Sequence, residues 1–119
     1  MTGKKELRVP DYLEHIADAI ARARRYTGEM TEAEFLKDEK TQDAVIRNIE
    51  IIGEASRNIH EADPAFPDRH PDVPWRMMYR MRNAVSHGYF KVDFKLVWHT
   101  LKEDLPELEK RIRAILSPD

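Results

Sequence analysis

The sequence contains no cysteine, few glycines and few aromatic residues. Without cysteine the chain has no disulfide, no thiolate zinc site and no cysteine nucleophile, a composition that fits a reducing compartment. Four glycines and an aromatic content of 8% are low for a sandwich of short strands joined by glycine turns, so the composition favours amphipathic helices. No apolar run approaches the roughly 20 residues that span a bilayer, and the polar first residues are not signal-like. We therefore predict an all-α protein of the cytoplasm with no membrane contact.

The chain also lacks a strong excess of charge of one sign. Its formal net charge is -2, so bulk electrostatics does not draw it onto nucleic acid, and any contact with RNA must be local. With 119 residues the chain is long enough for one compact domain and too short for two of ordinary size. We predict a single helical domain over residues 1–119, in which residues 1–8 form a flexible N-terminal arm.

Helical periodicity dominates the first half of the sequence. Asp11 has capping-box spacing to a glutamate three residues later, and apolar residues then recur at helical intervals up to Gly28, which predicts a first helix. A second capping box, at Thr31, predicts a short helical turn before a longer helix. The strongest prediction is a helix over residues 42–60, where one apolar stripe contains Val45, Ile49, Ile52 and Ile59. Gly53 inside this helix predicts the close approach of another helix.

Prolines mark the boundaries in the second half. Residues 61–73 lose the periodicity and contain several prolines, which predicts a loop. Pro74 suits the first position of a further helix. A last long helix follows Asp93, with either a kink at Pro106 or a break recapped by Asp104. Together these segments predict an antiparallel bundle of four or five helices.

One short segment concentrates reactive side chains: Arg82-Asn83-Ala84-Val85-Ser86-His87-Gly88-Tyr89. Arg82 is a forked donor that stays charged, and the ordinary pKa of a histidine such as His87, about 6.5, suits proton exchange near neutrality. Together the two groups suit the binding and cleavage of a phosphodiester. Gly88 is placed to cap the helix, which would put His87 in its last turn. The five histidines are dispersed and no carboxylate pair has metal-ligand spacing, so the sequence predicts neither a metal nor another cofactor.

The spacing of Arg82 and His87 constrains how they meet. Five residues turn a helix by about 500°, which leaves the two residues about 140° apart around the axis and about 7.5 Å apart along it. They converge if Arg82 curls toward the C-terminal end, if the last turn unwinds, or if a second protomer supplies the missing group. A two-fold axis is the most economical solution, because it places two copies of each side chain around one cleft. We therefore expect a homodimer.

The segment has the form R-x4-H-x-Y and resembles the signature of HEPN-domain toxins of the HepT type. Other stretches match that family in order and spacing: Gly53-Glu54-Ala55, Pro71 to Trp75, Phe90, Val97-Trp98 and Asp104-Leu105-Pro106. The resemblance implies a HEPN-like bundle, a homodimer whose motifs face a shared groove, and a partner antitoxin with the MNT nucleotidyltransferase fold. It also implies an endoribonuclease or tRNA-directed RNase that needs no metal. In this reaction the 2′-hydroxyl attacks phosphorus, His87 transfers a proton and Arg82 stabilises the developing charge.

Three further residues have candidate roles. By the same resemblance, Tyr89 would accept AMP groups from the antitoxin, and the added charge and bulk would block the cleft. Asn83 is expected either to bind the scissile phosphate or hold His87, or to be an ordinary exposed helix residue. Glu54 is expected to orient Arg82. Alternatively, Gly53 serves a helix crossing and the adjacent Glu54 has no functional role.

Two other kinds of function are compatible with the sequence. A non-catalytic HEPN module would bind a protein partner or a nucleotide, and its apolar helix faces would serve a permanent interface. A purely structural helical dimer would account for the core, but it leaves unexplained why an arginine, a histidine and a tyrosine crowd one helix end. The leading hypothesis is the ribonuclease toxin.

Overall fold

The computed structural model describes residues 8–86 and 92–118 of the chain. The helices are α1 (Val9–Thr27), α2 (Glu32–Lys37), α3 (Glu39–Ala62), α4 (Phe66–Arg69), α5 (Trp75–Ser86), α6 (Phe94–His99) and α7 (Leu105–Leu116), with a π-helical segment at Thr100–Asp104. No strand occurs in the described ranges, which confirms the all-α prediction. Within these ranges no helix combines the length and the apolar character needed to cross a membrane. The predicted N-terminal arm, apart from Arg8, lies outside the described residues.

The first helix begins slightly earlier than the sequence predicted. Asp11 sits inside the first turn of α1, where its carboxylate accepts a hydrogen bond from the backbone N–H of Arg8 at 2.8 Å. Asp11 is therefore the third residue of the helix and bonds back to the N-cap residue Arg8, instead of being the N-cap itself. Gly28 ends the helix with a φ of 44°, a positive value that glycine adopts without the steric penalty of a side chain.

The next two helices are capped by side chains. Thr31 Oγ1 accepts from the Glu34 N–H at 3.2 Å, while the Glu34 carboxylate accepts from the Thr31 N–H at 2.8 Å, which confirms the predicted capping box. Asp38 caps α3 by accepting from the Thr41 N–H at 3.0 Å. This backbone hydrogen bond lowers the pKa of Asp38 because it stabilises the ionised carboxylate.

Helix α3 lies at the centre of the bundle and packs against both α1 and α5. Its predicted apolar stripe is buried, with Val45, Ile52 and Ile59 0% exposed. The C-terminal helices run antiparallel to α1. Arg24 near the end of α1 pairs with Glu109 at 2.7 Å, whereas Asp18, earlier in α1, shares a hollow with Arg113, which comes later in the chain than Glu109.

Two details lay beyond the sequence-based predictions. The loop predicted over residues 61–73 contains α4, whose first turn accommodates Pro67 because the missing N–H has no partner to lose there. The irregularity predicted at Pro106 takes the form of a π-helical turn immediately before it. The Leu105 N–H bonds to the Thr100 carbonyl oxygen, and the helix passes into α7 without a recapped break at Asp104.

Candidate active site

The described part of the R-x4-H-x-Y segment is positioned by a close crossing of α3 and α5. A Cβ added at Gly53 would lie 2.2 Å from the Cβ of Arg82 and 2.7 Å from its Cγ. It would also lie 3.2 Å from the carbonyl oxygen of Met78. Gly53 therefore lets the base of the Arg82 side chain lie directly against α3. This confirms the predicted close approach of a second helix.

Glu54, the residue after Gly53, holds the guanidinium of Arg82. Arg82 Nη2 lies 3.0 Å from Glu54 Oε2, with the two side chains 29% and 50% exposed. Ion pairs at this exposure contribute about 0–1 kcal/mol to stability, so the main physical consequence is to fix the direction of the guanidinium. Arginine has five N–H donors, and the contact with Glu54 leaves others available to an anion.

A surface hollow of about 290 Å³ borders this ion pair. It is lined by Arg47, Glu50, Ile51, Glu54 and Arg82. The four residues from α3 recur at the i, i+3, i+4 and i+7 positions, so they share one helix face. The sequence predictions named Glu54 and Arg82 but missed Arg47. Its spacing of seven residues from Glu54 puts it on the same helix face, but that spacing does not show that this face borders Arg82.

The other predicted site residues are placed less completely. Asn83 is exposed on α5 and has an interaction partner. His87 and Tyr89 lie outside the described residues, as does the cap predicted at Gly88. Of the predicted set, the structure thus brings Arg82 and Glu54 into contact. Across residues 8–86 and 92–118, no three Asp, Glu or His side chains are grouped closely enough to hold a metal ion.

Comparison of the sequence with known proteins identifies clear relatives of this chain. The chain belongs to the HepT-like ribonuclease family, because a family model described as ribonuclease HepT-like matches residues 16–115. A protein of Thermococcus cleftensis named "Probable ribonuclease HepT" is 49% identical over 105 residues, which cover 88% of this chain and 93% of that protein. A protein of Methanocaldococcus jannaschii named "Putative RNase" is 39% identical over 122 residues, which cover 98% of this chain and 95% of that protein. No solved structure matches the chain. The resemblance to the HepT type of HEPN protein is therefore confirmed.

Proposed function

We propose that this chain is an endoribonuclease that cleaves RNA without a metal ion and uses Arg82 and His87 as its catalytic residues. The observation that carries the proposal is the setting of Arg82, which is partly buried, fixed by Glu54 and located at the rim of a surface hollow. Membership of the HepT-like family supports RNA as the substrate. Because the net charge is -2, the phosphate contacts must come from such local arginines.

The chemistry is an internal phosphoryl transfer. The 2′-oxygen of a ribose forms a bond to the adjacent phosphorus, the bond from phosphorus to the 5′-oxygen breaks, and the product strand ends in a 2′,3′-cyclic phosphate. Histidine removes the proton of the 2′-hydroxyl as general base, and an imidazolium returns a proton to the leaving 5′-oxygen as general acid. Arg82 stabilises the negative charge that builds on the phosphoryl oxygens, and Glu54 holds it in that direction.

A homodimer brings the two catalytic groups together in this proposal. Arg82 and His87 diverge by about 140° on a regular helix, so the arginine of one subunit works with the histidine of the partner. Each Arg82–His87 pair forms one site, in which the imidazolium that His87 becomes on removing the 2′-proton is the acid that protonates the leaving 5′-oxygen. Asn83 is proposed to bind the scissile phosphate or hold His87.

Regulation is proposed to act on Tyr89. A nucleotidyltransferase antitoxin of the MNT fold transfers AMP from ATP to the phenol oxygen, with pyrophosphate as the leaving group. The added phosphate occupies the space that RNA phosphates need, and it repels them. We place this toxin–antitoxin pair in the cytoplasm. Production of the chain together with such a partner is expected to raise its intact mass by multiples of AMP, while Tyr89→Phe stays unmodified; modification of both proteins alike would contradict Tyr89 as the acceptor.

The direct test of the activity is cleavage in the presence of a chelator. Purified protein is expected to cut RNA in excess EDTA and to leave 2′,3′-cyclic phosphate ends, whereas RNA methylated at its 2′-oxygens stays intact. Cleavage that stops with EDTA and returns with a divalent metal would contradict the acid–base scheme. Stoichiometric binding of RNA, nucleotide or a protein partner without any turnover would instead indicate the non-catalytic module.

A further inference from the structure

One arginine in the hollow beside Arg82 has no assigned role. Arg47 is exposed and lines the same hollow as Arg82 and Glu54. Among the residues that the structure describes, its guanidinium has no ion pair and no hydrogen bond. The other exposed arginine of α3, Arg57, is instead paired with Glu61 at 3.2 Å. Arg47 therefore presents a guanidinium with no partner among the described residues to the hollow.

The position of Arg47 relative to the proposed reaction centre is set by helix geometry. Seven residues separate it from Glu54, which places the two on nearly the same azimuth and about 10.5 Å apart along α3. Because Glu54 holds Arg82, Arg47 lies to one side of the phosphate that Arg82 would contact. A single strand that passes over the hollow can meet both guanidinium groups with different phosphates.

One of the two carboxylates in the hollow, that of Glu54, is paired with a cation. Glu54 is neutralised by Arg82 at 3.0 Å. Glu50 also has an interaction partner. Ile51 contributes an apolar wall between the charged groups. The hollow therefore combines one arginine already engaged by a carboxylate with a second arginine whose donors are available to a phosphate.

We propose that Arg47 binds a backbone phosphate of single-stranded RNA next to the scissile one, so that the strand lies along α3 across the hollow. The inference rests on the proposed ribonuclease function and adds the path of its substrate. Arg47 is a binding residue in this view and takes no part in the bond changes. Its contribution is expected in the KM, whereas Arg82 acts on kcat.

Salt-dependent binding tests this inference without requiring cleavage. The probe is a short fluorescein-labelled RNA strand methylated at its 2′-oxygens, and fluorescence anisotropy gives Kd between about 50 and 200 mM potassium chloride. For Arg47→Ala we expect Kd to rise about 2- to 5-fold, because an ion pair made by an exposed guanidinium contributes up to about 1 kcal/mol. The slope of log affinity against log salt should fall by about 0.7, the value for one phosphate contact on a single strand.

Two matched variants define the control. Arg57→Ala removes an equal charge from the same helix, and it should leave both Kd and the salt slope as in the wild type. Arg47→Lys keeps the charge and should restore the slope, although it lacks the planar fork of arginine. Circular dichroism should show the same helix content in all three variants, because both positions are exposed.

The outcomes separate this inference from the proposed function. An unchanged slope for Arg47→Ala, or an equal loss for Arg57→Ala, overturns the assigned phosphate contact, and so does a wild-type protein that fails to bind the strand. If Arg47→Ala also cleaves RNA normally, the ribonuclease function stands without this contact. If the salt slope of Arg47→Ala falls as expected while the wild type cuts no RNA, the assigned path of the strand stands and the cleavage proposal fails.

Discussion

Replacing Arg82 with alanine is expected to lower kcat for RNA cleavage about 100- to 1,000-fold, the usual cost of removing one donor that stabilises a developing oxyanion. Replacing His87 with alanine should lower it about 100- to 10,000-fold, because general acid–base catalysis is lost. Both effects should appear in single-turnover cleavage with saturating protein, which isolates the chemical step from binding. Expression of the wild-type chain is expected to arrest growth, and expression of either variant is not.

Controls separate these losses from unfolding and from a general change in charge. Arg57→Ala removes a guanidinium that is paired with Glu61 on the surface, and it should cleave RNA at the wild-type rate. Arg82→Lys keeps the charge but not the fork, so its rate should lie between those of the wild type and Arg82→Ala. Full activity in both Arg82→Ala and His87→Ala would remove the motif from the mechanism.

Replacing Gly53 with alanine is expected to destabilise the protein and to impair cleavage. The new Cβ would lie 2.2 Å from the Cβ of Arg82, and an atom so close to the backbone cannot swing away as the far end of a side chain can. Overpacking of this kind costs about 1–3 kcal/mol, which offsets the gain of about 1 kcal/mol in helix propensity. Urea unfolding should show the net loss, and kcat should fall because α5 and Arg82 are displaced.

A larger residue and two controls sharpen this prediction. Gly53→Leu should be more damaging than Gly53→Ala, since more atoms must fit between α3 and α5. Asn58→Ala raises helix propensity in α3 away from the crossing and should change stability by no more than about 0.5 kcal/mol. The cost of Gly53→Ala should persist in an Arg82→Ala background, because alanine keeps the Cβ that clashes. A Gly53→Ala protein that is more stable than the wild type and cleaves normally would contradict the tight crossing.

The long helices could be predicted because their apolar residues have to face one core. In α3, Val45 and Ile52 follow helical spacing and are completely buried. The short helix α4 could not be predicted because the prolines around it interrupt the helical periodicity of the sequence. Pro67 is nevertheless compatible with the helix, since it lies in the first turn, where its missing N–H has no intrahelical partner. The sequence around Pro106 showed that the hydrogen-bond ladder must change. It did not show where, because a wide π turn ahead of the proline solves the same steric problem as a kink.

The candidate site was predictable to the extent that it follows a linear motif. Arg82 stood out by its spacing from His87, and the Gly53-Glu54 pair stood out because glycine is costly inside a helix. Arg47 did not stand out in the sequence, since an exposed arginine on a helix usually belongs to a solvated face. Its relevance depends on which face of α3 meets α5, and that is a property of the tertiary crossing rather than of the local sequence.

The central claim is that two subunits share their catalytic groups, and mixed dimers test it most directly. Arg82→Ala and His87→Ala proteins, each inactive alone, are unfolded together in equal amounts, refolded and assayed for RNA cleavage in EDTA. We expect about one quarter of the wild-type activity, because half of the dimers are mixed and each contains one complete Arg82–His87 pair across the two-fold axis. A mixture that forms mixed dimers, as shown by mass spectrometry, but cuts no RNA would contradict the shared site.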